Sequence, residues 1–122
     1  MVSVKKSLCL NYAIALLYLL TSCSVPYQTV RIKDVRKLEN INISKASSQG
    51  NIHSISIRGT GKLDGTANIG LIVDGKLYKS EKAHNSINFK WDNDWYSNTA
   101  VIRYSPIDVK SGELTIDYRF HN

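Results

Sequence analysis

From Ile52 to Phe120 the apolar residues fall repeatedly on every second position, and that regularity rules out most architectures. Ile55 and Ile57 alternate with Ser54, Ser56 and Arg58, and Ile69, Leu71 and Val73 follow. Next come Ile87, Phe89 and Trp91, then Ala100, Ile102 and Tyr104, and last Leu114, Ile116, Tyr118 and Phe120. A helix returns to one face every 3.6 residues and cannot bury such a series, whereas a strand points successive side chains to opposite faces. The last run is the most regular. Its Thr115, Asp117 and Arg119 point away from the apolar set, as in an antiparallel sheet with one wet and one buried face.

Turn chemistry separates the runs. Asp74-Gly75 is the clearest case, since a two-residue hairpin needs positive φ at its centre and both residues tolerate it. It predicts Val73 opposite Lys76, Ile72 opposite Leu77 and Leu71 opposite Tyr78. Gly59-Thr60-Gly61, Asp64-Gly65, Ser105-Pro106 and Ser111-Gly112 punctuate the rest. Upstream, Val30 with Ile32 and Ile41 with Ile43 suit one or two more strands, while Asp34 to Glu39 also suits a helical turn. Short strands at this spacing predict an all-β fold, an antiparallel immunoglobulin-like β-sandwich of about seven strands. The likeness to immunoglobulin domains is architectural, because their Cys-Trp-Cys framework is absent.

The N-terminal segment follows a different logic. Lys5 and Lys6 precede an apolar stretch from Leu8 to Leu20, which ends in Thr21-Ser22-Cys23. A basic start, an apolar run and small residues are the parts of a secretory signal. The run is too short, and too interrupted by Asn11, for the roughly 20 apolar residues of a membrane span. Leu20-Thr21-Ser22-Cys23 resembles the bacterial lipobox, and the resemblance covers residues 1 to 23. It implies that residues 1–22 are a lipoprotein signal peptide and that Cys23 becomes the first mature residue. That cysteine would carry a diacylglyceryl thioether and, in many bacteria, a fatty-acyl amide. Two or three acyl chains hold a protein on a bilayer where one does not. Ser24 in place of Asp after the cysteine implies, for a double-membraned bacterium, transfer to the outer membrane, with the domain facing the periplasm.

Removing residues 1–22 leaves 100 of the 122 residues, a usual size for one domain. Cys9 leaves with the signal and Cys23 is consumed by lipid, so no cysteine remains for a disulfide and the fold must rest on its apolar core. Residues 23–50 are expected to form a lipid-anchored basic tether with one or two strands, and residues 51–122 the core of the sandwich. The 16 Lys and Arg against 10 Asp and Glu fall to an excess of four once Lys5 and Lys6 are gone. Arg31, Lys33, Arg36, Lys37 and Lys45 concentrate that excess next to the anchor. Such a segment either lies on anionic head groups or is a solvated tether. Nucleic acid is not an expected partner of an exported chain without any nucleic-acid module.

The richest chemical cluster is Trp91-Asp92-Asn93-Asp94-Trp95-Tyr96. Aromatic faces stack on sugars and anchor protein interfaces, and Asp or Asn binds hydroxyls. Trp91, Asp92, Asp94, Trp95 and Tyr96 are therefore the candidate partner-binding or glycan-binding residues. The competing reading keeps Trp91 in the inward Ile87-Phe89 series, lets Asp92 to Asp94 turn the chain and packs Trp95 on the domain's flank. The run lacks the later ligands and the glycine of a calcium loop. Gly59-Thr60-Gly61-Lys62 shares part of a phosphate loop, but Leu63 stands where Ser or Thr is needed and no helix follows. His53, His84 and His121 show no metal spacing. No serine lies in a nucleophile elbow, and a domain this small offers little room for a glycosidase cleft around Asp92 and Asp94. No catalytic residue, metal or cofactor is therefore expected. Three function classes remain: an accessory module of an envelope assembly such as a secretion system, a pilus or an outer-membrane machine; a peptidoglycan or other glycan binder; and a periplasmic inhibitor or immunity protein.

Overall fold

The computed structural model of the chain describes residues 25–122; the expected signal segment 1–22, the lipidation site Cys23 and Ser24 lie outside the described residues. Among the described residues six strands follow in order: β1 (Gln28–Arg31), β2 (Glu39–Ser44), β3 (Ser54–Val73), β4 (Lys76–Asp94), β5 (Thr99–Pro106) and β6 (Ser111–His121). All pairings are antiparallel, in the order β1-β6-β3-β5-β2, with β4 on the other edge of β3. The long strand β3 thus serves three partners. β4 follows it from end to end, while β6 takes Ser54–Asp64 and β5 takes Ala67–Ile72 on the opposite edge.

Chain length shows that the β3–β4 hairpin must curl back on itself. Ser54 pairs with Asp94 and Ile72 with Val101. Along a straight strand, Ser54 and Ile72 would lie roughly 60 Å apart at about 3.3 Å per residue. Asp94 and Val101 are joined by a segment that reaches at most about 25 Å. The hairpin therefore brings its tip towards its base, and the sheet becomes a curled half-barrel.

The bend is built at Leu63-Asp64-Gly65, where the register of β3 against β4 shifts between Lys62 and Thr66. Such a bulge leaves residues unpaired and turns the strand. Gly65 (φ 134°) has no room for a side chain, because a Cβ would meet the Asp108 carbonyl. The connector between β5 and β6 closes over the same place: Ile107 N donates to Thr66 O at 2.8 Å and Lys110 N to Asp64 O at 2.9 Å. Asp108 Oδ1 accepts from Thr66 N at 2.6 Å.

The expectation of an all-β antiparallel fold holds, but the seven-strand immunoglobulin-like sandwich is corrected to a six-stranded curled sheet. Gly59 and Gly61, expected in a glycine-rich turn or bulge, and Gly65, expected in a turn, lie inside one continuous strand. The Ile55 and Ile69 runs are consequently both parts of β3, and the runs around Tyr78 and Phe89 are both parts of β4. Asp74 (φ 50°) and Gly75 (φ 76°) do form the expected two-residue turn. Val73 faces Lys76 and Ile72 faces Leu77, but Leu71 faces Lys79 because Tyr78 is inserted as a bulge.

The odd-numbered residues of β3, and Ala83, Ile87, Phe89 and Trp91 of β4, point into the curl. Ile55, Ile57, Leu63, Ala67, Ile69 and Leu71 meet Ile87, Phe89 and Trp91 there, joined by Ile102, Tyr104, Leu114, Ile116 and Phe120. Within the stretch expected as a basic tether with one or two strands, β1 pairs with β6 and β2 with β5. Between β1 and β2, Ile32 and Val35 are buried as a cap on the core. The Tyr104 hydroxyl donates to the Val35 carbonyl at 2.6 Å. Burial, with a smaller contribution from Asp34, pushes that phenol up to about 12.

Candidate functional site

The Trp91–Tyr96 segment is divided by the pleat of β4 and by the corner after it. Trp91 points inward and is 3% exposed, tilted against Phe89 with ring centroids 4.8 Å apart. Asp92 and Asp94 are exposed. Trp95 is buried at the corner, 7% exposed; its main-chain N donates to His53 O at 3.1 Å and its indole Nε1 to Thr99 O at 2.9 Å. Tyr96, at 78% exposure, is the open aromatic of the segment. The two tryptophans are thus structural, the second tying the base of the hairpin to the start of β5.

The curl brings a second aromatic to this corner, from a distant part of the sequence. Tyr78, displaced from the ladder by its bulge, is 54% exposed and meets Trp95 edge to face at 6.2 Å. Val73, Asp74, Tyr78, Asp94, Trp95, Tyr96 and Ser97 line an open groove of about 350 Å³. Leu77, 61% exposed, follows the same hairpin tip. The groove thus has an aromatic floor edge in Trp95, two open tyrosines and two carboxylates. Sequence reading picked out Asp94, Trp95 and Tyr96 but missed Tyr78 and Asp74, since nothing local indicates that the hairpin tip returns to its base.

A second cluster lies on the outer face of the first half of the sheet, where Asp92 belongs. Ser56, Asp92 and Arg119 are neighbours across β4, β3 and β6. The buried Ser56 hydroxyl donates to Asp92 Oδ1 at 2.5 Å and lies 2.8 Å from His121 Nε2. Because the hydroxyl proton is directed to the carboxylate, Nε2 carries its own proton and donates to Ser56 Oγ. The hydrogen bond from the Ser56 hydroxyl holds the Asp92 carboxyl below its usual range, with help from Lys90. His121 is pushed below the ordinary histidine value by burial first, then by Arg119 and His53. An imidazole that donates to a hydroxyl does not draw off its proton, so the arrangement differs from a Ser-His-Asp relay, where the aspartate holds the imidazole.

Around these residues His53, Ser54, Lys90, Arg119, His121 and Tyr27 line a polar hollow of about 480 Å³. The ring of Tyr27 is clamped by two guanidinium groups, with Arg58 Cζ 3.8 Å and Arg119 Cζ 4.7 Å from its centroid. Among the described residues no group of three or more His, Cys, Asp or Glu is placed to hold a metal ion. No protein-family model matches the chain, and neither a curated protein nor a solved structure matches it.

Proposed function

We propose that the chain is a bacterial envelope lipoprotein, held by acyl chains on Cys23 at the outer membrane and facing the periplasm. It acts without catalysis, as a binding module of a larger envelope assembly. The observation that carries the binding reading is one groove lined by Tyr96 and Tyr78, both more than half exposed, together with the buried Trp95. Aromatic side chains on a rigid base lose little freedom on contact and are typical anchors of protein interfaces. The anchor is supported by the lipobox pattern Leu20-Thr21-Ser22-Cys23.

Photo-crosslinking from position 96 of the full chain in its own envelope tests this reading. A single stoichiometric protein partner, absent when the crosslinker sits at Ser80 and lost in Tyr78→Ala, is the expected result. No protein product would overturn the assembly role. A second reading, glycan binding, draws support from Asp74 and Asp94 beside the tyrosines. It would be favoured by cosedimentation with purified peptidoglycan that Tyr96→Ala abolishes.

A further inference from the structure

Tyr27 sits four residues after Cys23, so the two are at most about 14 Å apart along the chain. Tyr27 is fixed on the outer face of β3 and β6 by the guanidinium groups of Arg58 and Arg119. Acyl chains on Cys23 would therefore emerge beside that face, with no long tether to carry the domain away from the bilayer. The same face bears the polar hollow, whose lining sets the cations Lys90 and Arg119 against Asp92, with His53 and His121 beside them. Arg58 is engaged by Asp117 at 3.6 Å and Lys90 by Asp92 at 3.6 Å, both at the long end for an ion pair. Arg119 forms no ion pair among the described residues, and its Nε is buried without a partner.

We propose that the hollow bounded by Tyr27, Lys90, Arg119, His53 and His121 is a docking site for the phosphate of anionic phospholipid head groups, which lays this face of the domain on the membrane. The proposal rests on the lipid-anchor reading. Its chemistry is that of guanidinium and ammonium groups on a phosphate, with charge-assisted hydrogen bonds from Arg119 and Lys90. The cation–π contacts with Tyr27 hold Arg58 and Arg119 in place while leaving guanidinium edges for an oxygen ligand. Beyond the bend the sheet faces the other way, so Ser80 and Arg103 on the second half are carried to the side away from the bilayer.

The test uses the full chain, isolated from a bacterium and reconstituted in vesicles, with a fluorophore on Asn88→Cys or, as the opposite-face control, on Ser80→Cys. Asn88 is exposed and lies one step along the outer face of β4 from Lys90. Quenching by head-group nitroxide lipid reports proximity to the bilayer, and the mass of the Cys23 peptide reports acylation. The expected result is acylated protein whose Asn88 probe is quenched in phosphatidylglycerol vesicles, with the Ser80 probe unquenched. Lys90→Gln with Arg119→Gln should lower the docked-to-undocked ratio roughly 25-fold, since each basic residue near an anionic surface contributes about a fivefold factor. Equal quenching in phosphatidylcholine, or at both probes, would overturn the docking while leaving the anchor intact. Release by inorganic phosphate, at an ionic strength where chloride has no effect, would reassign the hollow to the free ion and also overturn it. An unmodified Cys23 peptide would mean that the anchor reading itself had failed, and the docking with it.

Discussion

Gly61 and Gly112 each face a carbonyl oxygen of the other's strand across the β3–β6 ladder. A Cβ on Gly61 would collide with the Glu113 carbonyl oxygen, and one on Gly112 with the Lys62 carbonyl oxygen. Both glycines hold positive φ, 153° and 131°, in a region that costs other residues on the order of 1–3 kcal/mol. The close approach lies just before the bend of β3, so it shapes the curl that brings Tyr78 to Trp95.

Gly61→Ala and Gly112→Ala should therefore each destabilise the domain by more than about 2 kcal/mol, with strain and backbone collision added together. Gly75→Asn makes the contrast: its φ of 76° suits asparagine, and nothing lies within 4 Å of its Cβ position. That variant should stay within about 1 kcal/mol of wild type in urea titrations. Equal losses at 61 and 75 would remove the argument from close approach.

Trp95→Ala should cost about 3–5 kcal/mol, because it empties a buried aromatic site and leaves the Thr99 carbonyl without its indole donor. Tyr96→Ala, at a site 78% exposed, should leave the melting temperature nearly unchanged. Calorimetry of the two variants separates the structural aromatic from the open one. Any binding loss measured in Tyr96→Ala can then be read as lost contact.

Tyr104→Phe removes the donor to the Val35 carbonyl and leaves a buried acceptor unpaired. The expected loss is about 1–3 kcal/mol. Because β2 and the Ile32–Val35 cap depend on this contact, amide exchange should rise first at Val35 and along Glu39–Ser44.

His121 gives the domain a pH-dependent stability of defined sign. Its folded value is depressed below 6.5, so between that ordinary value and the folded one the unfolded chain binds the proton more readily. Stability is unaffected by this group well above pH 6.5 and falls as pH drops through it. Asp92, also depressed, adds stability that is present above its ordinary 3.8 and is lost as pH falls further. His121→Gln should flatten the upper part of this acid limb in urea titrations between pH 7 and 5, and an unchanged slope there would refute the assignment.

The alternation of Ile55 with Ile57, of Ile87 with Phe89 and Trp91, and of Leu114 through Phe120 placed nearly every core strand, because a half-buried strand writes its two faces directly into the chain. Asp74-Gly75 located the hairpin turn for a similarly local reason. What escaped was the continuity of β3 and β4. A glycine at positive φ serves a bulge as readily as a turn, and only the Asp108 carbonyl packed against Gly65, 43 residues away in the chain, decides between them. The candidate site was legible in the same measure. Trp91 followed the inward series, whereas the burial of Trp95 and the arrival of Tyr78 depend on the curl, which no neighbouring residue encodes.

The pairing of Gln28 with Tyr118 and of Thr29 with Asp117 has a consequence for how the molecule comes into being. The earliest strand among the described residues pairs with the last of them, so β1 stays without its partner strand until β6 has emerged from a ribosome or a translocation pore. Sequence-distant pairing of this kind slows folding. Until then the Ser54–Asp64 half of the other edge of β3 stands open. Loss of the residues from Thr115 onward would therefore leave two frayed ends rather than one.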